Sequence, residues 1–225
     1  MAKFSKPDGT LFTQISSGIY RGKKLALPAL SSTRSTKSIV KGSFFDTWRE
    51  ELRGAAFIEC FGGSGAMALE ALSNGAKNVY AIEQDAAAHK IMRKNFELFG
   101  LGANAILGDC FERLPEILHD LQANMNGCSA VNLSESHTAN SSENSVSDPA
   151  RRVFVYLDPP FAIRQGFDEI YERVLALIAR LGSVRCELLI AIEHMSELGL
   201  PPKIGDFALL KSRKFGATTM SYYAK

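Results

Sequence analysis

The run AAFIECFGGSGAMALEALSNGAKNVYAIEQ, residues 55–84, decides the fold. An apolar stretch from Ala55 to Cys60 has the length of a buried strand. It breaks at Gly62, Gly63 and Gly65, resumes as an apolar helix from Ala66, and leads into a second strand that ends at Glu83 and Gln84. Glycines between a strand and a helix permit a tight turn and the close approach of a ligand to the backbone. Gly63-x-Gly65-x-x-Ala68 fits the dinucleotide pattern, and Glu83 stands about 18 residues beyond Gly65, where an acid would bind ribose hydroxyls. A nicotinamide oxidoreductase therefore stays open, as does a glycine-rich turn without a ligand. Glu59 at the strand tip argues against the pyrophosphate of a dinucleotide, which it would repel, and for a cationic or amine-bearing ligand.

Working outward, the chain keeps alternating. AAHKIMRKNFELFG reads as a helix, NAILGD as a third strand, VFVYLD as a fourth, FDEIYERVLALIARLG as a helix and RCELLIAIE as a fifth strand. Repeated βα units predict a parallel sheet covered on both faces. FALLKSRK and TTMSYYAK follow, separated only by Phe215, Gly216 and Ala217, too short a link for a parallel crossover. The expected fold is thus α/β: a doubly wound, Rossmann-like sheet of five parallel strands ending in an antiparallel hairpin. Upstream, residues 14–28 read as a small basic hairpin turning near Arg21-Gly22. Ile39, Val40, Phe44, Phe45 and Trp48 recur at helical spacing, predicting a helix from about residue 36 to 53. Residues 1–53 are therefore expected to form a basic arm, and residues 54–225 the catalytic domain. A Ser- and Asn-rich stretch at about 123–150 reads as a loop or disordered insertion.

Composition narrows the class. The 225 residues are 46% apolar and 22% charged, which suits one large domain able to bury its own core. No run approaches the ~18 apolar residues of a membrane span, and residues 1–10 lack the apolar core of a signal peptide. Cys60, Cys110, Cys128 and Cys186 are widely spaced, which speaks against a zinc site or disulfide framework and for a reducing cytoplasm. Cys60 reads as a small buried residue. His89, His119, His137 and His194 show no metal or triad spacing and read as surface or capping residues. The formal charge of +2 is unevenly spread. Ten basic residues face four acidic ones in residues 1–53, a formal +6 that leaves −4 for the rest. A basic arm on an acidic domain suggests a polyanionic partner.

The second motif is VYLDPPFA, residues 155–162, at the carboxyl end of the fourth strand, where ligands sit in open α/β sheets. Successive prolines remove donors and fix the backbone, so Asp158 and the neighbouring carbonyls become a rigid cluster of acceptors suited to an exocyclic amine. Phe161 can stack on a planar base. Taken alone, Asp-Pro-Pro is also an ordinary turn.

Asp158-Pro159-Pro160-Phe161 together with Glu59-x-Phe61-x-Gly63-x-Gly65 resembles the S-adenosylmethionine-dependent amino-methyltransferases. More narrowly, GIYRGKKLALP followed by TRSTKSIVKGSFFDTW is similar to the opening hairpin and helix of the bacterial family that methylates N2 of a guanine in 16S rRNA. The likeness runs from about Ser17 to Tyr223, insertion excluded. The chain departs from the family at Glu59, where Asp is usual, at Gly62, where Ala is usual, and at Arg34-Ser35-Thr36, where Arg-Pro-Thr is usual. The resemblance implies a cytoplasmic, monomeric, metal-independent enzyme acting on 16S rRNA, with S-adenosylmethionine as cofactor.

Residue by residue, it implies that Glu59, Phe61, Gly62, Gly63, Ser64 and Gly65 line the methionine part of the cofactor. Glu83 would take the ribose hydroxyls, with Gln84, Asp109 and Cys110 around the adenine. Arg34 and Thr36 would reach the cofactor carboxylate, with RNA contact or helix capping as the alternative. Asp158, Pro159, Pro160 and Phe161 would hold the target base, and Arg21, Lys23, Lys24, Lys37 and Lys41 would grip RNA phosphates. Asp109 retains the alternative of a helix cap. DNA adenine-N6 and protein glutamine-N5 methyltransferases share the acid-or-Asn-Pro-Pro-aromatic motif but mostly end it in Tyr. A binding module with an inactive cofactor site is a further alternative.

Overall fold

The computed structural model describes residues 4–5, 11–28, 38–129, 151–160 and 169–225. The arm holds three short strands, β1 (Phe4–Ser5), β2 (Leu11–Gln14) and β3 (Lys24–Ala26), and leads to helix α1 (Ser38–Leu52). The alternating part follows as β4 (Ala56–Cys60), α2 (Ala66–Ser73), β5 (Asn78–Glu83), α3 (Ala86–Glu97), β6 (Ala105–Leu107), α4 (Cys110–Ser129), β7 (Arg152–Leu157), α5 (Ile170–Arg180) and β8 (Glu187–Met195). The chain closes with β9 (Lys203–Ile204), β10 (Phe207–Phe215) and β11 (Thr218–Ala224). No helix among the described residues is long and apolar enough to cross a membrane.

The main sheet runs β6-β5-β4-β7-β8-β11-β10-β9. Its first five strands are parallel, and β11 turns antiparallel against β8 and β10. The doubly wound sheet expected from the sequence is therefore present. Strand β4 is buried at every position because helices cover both faces, which is why its sequence is a continuous apolar run rather than an alternation. One face packs α1, α2 and α3 over Phe57, Tyr156, Ala191 and Tyr222. The other packs α4 and α5 over Ile58, Val155, Ile190 and Tyr223. On the first face Phe44 of α1 meets Phe57, Phe154 and Tyr156 edge-on at 5.7–6.2 Å and stacks at 6.3 Å on Tyr222. The arm's Ile15 and Leu25 join the same cluster.

Four details differ from the reading of the sequence. The hairpin ladder starts at Leu11, paired with Ser5 of β1, and its turn is wider than Arg21-Gly22 because Ser16 and Ser17 leave the ladder to donate to Glu70. Helix α4 continues to Ser129, into the stretch from about residue 123 that was expected to be loop. Residues 130–150 lie outside the described residues. The two-residue strand β9, paired with β10, was not anticipated. His194 is not at the surface: it lies 3% exposed in β8, with its ring bonded to Ser221 Oγ and the Met195 carbonyl, and burial lowers its pKa.

Candidate active site

The strand order reverses between β4 and β7, and in open α/β sheets the crevice at that switch point receives ligands. Four connections meet on this carboxyl edge: Phe61 to Gly65 after β4, Gln84 after β5, Asp109 after β6, and Asp158 to Pro160 after β7. The glycine loop is tightly held. Phe61 adopts φ +59°, the sole positive value among the described non-glycine residues, and Gly63 and Gly65 are also left-handed. At Gly65 a Cβ would come within 2.5 Å of the Phe96 ring, so both conformation and space demand glycine. At Gly62 a Cβ would meet the Met92 sulfur at 3.0 Å.

Three carboxylates organise this edge. Glu59 is buried, and its Oε2 accepts the Ala68 N–H at 2.8 Å, which supplies the amino end of α2 with the cap that Gly65 cannot give. Burial pushes its pKa up to about 8, against the lowering effect of the Ala68 and Met67 N–H groups. Glu83 Oε2 accepts the Gly63 N–H at 2.7 Å and Oε1 the Asp85 N–H at 2.8 Å, joining the glycine loop to the end of β5. Gln84 beside it is exposed. Asp109 caps α4 by accepting the Phe111 N–H at 3.0 Å, and its other oxygen meets Arg173 at 3.3 Å. Phe111 in turn lies edge-on to Phe61 at 6.1 Å and beneath the Arg173 guanidinium at 3.9 Å. Cys110 and Cys60 are both buried, and a hydrogen bond between them heads the causes that raise the Cys60 thiol.

Asp158 is half-buried and Pro159 buried. Near them, Tyr156 donates to Glu193 of β8 at 2.7 Å, and the Tyr171 phenol of α5 is raised above its usual range by burial first, then by the charges of Asp158 and Glu193. The structure thus gathers Glu59, Phe61 to Gly65, Glu83, Gln84, Asp109, Cys110 and Asp158 to Pro160 on one edge. Arg34, Thr36, Lys37 and Phe161 lie outside the described residues.

Two cations of the arm, Lys41 and Lys23, are placed differently from expectation. Lys41 is 4% exposed, and its ammonium lies 2.7 Å from Glu70 and donates to the Gln14 carbonyl at 3.2 Å, so it is closed to any phosphate. Glu70, itself fully buried, also accepts from the backbone and hydroxyls of Ser16 and Ser17, and so staples the hairpin to α2. Lys23 donates to the Leu98 carbonyl at 3.1 Å and sits over the Phe99 ring at 4.2 Å, while Arg21 and Lys24 are exposed.

A second staple is Asn95, which exchanges two hydrogen bonds with Ala26 of β3 and donates a third to the Ser64 carbonyl in the glycine loop. Glu70 and Asn95 were missed by the sequence reading. The signal was a lone acid in the apolar helix AMALEALS and a lone amide on the inner face of α3, since each must find partners when buried.

Ribosomal RNA small subunit methyltransferase D of Escherichia coli (strain K12) is 27% identical over 212 residues, covering 94% of this chain and 89% of that protein. YlbH of Bacillus subtilis (strain 168), named as a candidate rRNA methyltransferase, is 24% identical over 213 residues, covering 94% and 98%. The solved structure of yhhF from Escherichia coli, described as a candidate methyltransferase, superposes with a TM-score of 0.63 at 25% identity over 95% of this chain and 98% of that one. A sequence model matches residues 13–119 and 108–224, from the arm through the last strand, and the chain accordingly belongs to the family described as conserved hypothetical protein 95.

Proposed function

We propose that this protein transfers a methyl group from S-adenosylmethionine to the exocyclic N2 amine of a guanine in 16S rRNA, within the small ribosomal subunit. The observation that carries the reading is the position of Asp158-Pro159-Pro160 on β7, directly beside the glycine loop of β4 at the switch point of the sheet. The names of the Escherichia coli and Bacillus subtilis relatives support rRNA as the substrate class.

The donor set fits such a cofactor. A buried carboxylate at Glu59 suits an ammonium or sulfonium ion, and the left-handed glycines let the chain turn tightly beside it. Glu83 uses one lone pair of each oxygen on backbone N–H groups and keeps others for ribose hydroxyls. Asp109 and Cys110, with Phe111 beside them, are the groups for the adenine. When bound, S-adenosylmethionine supplies a methyl group already activated as a sulfonium.

The chain's own work is positioning. Asp158 and the Pro159 carbonyl accept the two amine hydrogens of guanine and aim the nitrogen lone pair at the methyl carbon. Orientation of this kind supplies roughly 7–11 kcal/mol. As the N–C bond forms and the C–S bond breaks, the nitrogen loses a proton, which Asp158 or solvent takes. A base within helical RNA must be turned out before this can happen. Phe161 is the proposed stacking partner, and Arg34 and Thr36 the proposed partners of the cofactor carboxylate.

The test is tritium transfer from labelled S-adenosylmethionine to small-subunit particles and to free 16S rRNA taken from a strain lacking the enzyme, followed by mapping of the nucleotide. Label on guanine N2 is expected. Label in DNA or protein, or thermal stabilisation by NAD but not by S-adenosylhomocysteine, would overturn the reading.

A further inference from the structure

We propose that the carboxyl-terminal hairpin, through Arg213 and Lys214 with Lys211 behind them, binds the phosphates of the substrate RNA next to the target nucleotide. The inference rests on the rRNA methyltransferase reading and adds a surface to it. Residues 54–225 carry a formal −4 overall. Yet residues 203–225 alone carry Lys203, Lys211, Arg213, Lys214 and Lys225 against a single acid, Asp206.

Register places these cations. Leu157 of β7 is level with Ile192 of β8, Ile192 with Ser221 of β11, and Ser221 with Ser212 of β10. One residue further, Asp158, Glu193, Met220 and Arg213 follow in the same row, and Lys214 lies one residue beyond. Arg213 is therefore on the catalytic edge, three strand spacings or roughly 14 Å across the sheet from Asp158. The amino end of α1 reaches the same edge, since Ser43 accepts from Arg213 at 3.1 Å.

The arm's tip is at the other edge. Helices α2 and α3 start at the carboxyl ends of β4 and β5 and run back, so their carboxyl ends mark the far edge of the sheet. Ile19 and Tyr20 bond Ser73, the last residue of α2, and Lys23 bonds Leu98, just past α3.

Electrostatics favours an anion at the hairpin. Lys211 and Arg213 are close enough to lower the Lys211 pKa after burial does so, and the acid that opposes this is Glu51. The Lys211 ammonium is held over the Trp48 ring at 4.3 Å and the Tyr222 ring at 5.3 Å, and forms no salt bridge with a described residue. Arg213 and Lys214 are exposed. A polyanion relieves this repulsion and releases its own counterions in doing so.

The experiment compares the parent with R213Q/K214Q and with the charge-keeping R213K/K214R. Binding to a 16S rRNA fragment is measured against salt, alongside methyl transfer and S-adenosylhomocysteine affinity. Loss of two phosphate contacts is expected to reduce the slope of log K against log[salt] by about 1.4–1.8. It should also raise KM for RNA, leave kcat nearly unchanged and leave S-adenosylhomocysteine binding untouched, with R213K/K214R behaving as the parent. An unchanged slope in R213Q/K214Q overturns the proposal. If the parent methylates no RNA, the underlying reading has failed, while the slope still decides whether this surface binds RNA.

Discussion

The amino-terminal arm and the carboxyl-terminal hairpin are both short antiparallel elements rich in Lys and Arg, and they spend those charges in opposite ways. The arm turns two of its cations inward, Lys41 onto buried Glu70 and Lys23 onto a backbone carbonyl at the edge of the sheet opposite Asp158, while Arg21 and Lys24 are exposed. The hairpin leaves Arg213 and Lys214 exposed at the carboxyl edge of the sheet. Count of charge is thus a poor guide to RNA contact, because a cation that has found a buried acid has nothing left to offer a phosphate. The arm instead braces the glycine loop, since Glu70 and Asn95 fix it to α2 and to the Ser64 carbonyl.

Substitutions at the two edges should separate these roles. The largest effect is expected at the catalytic edge: Asp158→Ala should lower methyl transfer roughly 10²–10⁴-fold, with S-adenosylhomocysteine still bound in calorimetry. Normal turnover in that variant would remove Asp158 from the mechanism. In the arm, Lys41→Met should cost about 3–5 kcal/mol of folding stability by urea denaturation, because it strands the Glu70 charge in the core. A loss below about 1 kcal/mol, the scale of an exposed pair, would show that the staple is not closed to solvent.

A smaller effect is expected at Glu59, and its sign is fixed by the raised pKa. Between the unfolded value near 4.5 and the folded value of about 8 the native protein holds the extra proton. The stability it contributes is therefore present below pH 4.5 and lost as pH rises towards 8. A cationic cofactor favours the carboxylate, so binding should release a proton and tighten with rising pH up to about 8. Titrations in buffers of different ionisation enthalpy should detect that release near pH 7 and find none in Glu59→Gln. The least effect is expected from Arg21→Gln with Lys24→Gln, which should leave kcat/KM for rRNA within about twofold. A large loss there would return RNA binding to the arm and dissolve the contrast between the two elements.

Much of the fold was legible because its signals are local. The glycine loop of residues 61–65, the apolar run of β4 and the short link between β10 and β11 each announce themselves within a few residues. Asp158 and Glu83 were found by their place at strand ends. The turn of the arm, the burial of Lys41 and His194 and the role of Asn95 were not, because each depends on a partner remote in sequence. Lys41 pairs 29 residues away, Ser16 54 and Ala26 69.

The sequence by itself determined the succession of the main strands along the chain, their parallel run and antiparallel end, and the residue types at their ends, since hydrophobic period and turn residues act over short range. Only the tertiary structure decided which charges are spent and which remain. Pairing and burial set that, and they follow from which surfaces the packed sheet brings together.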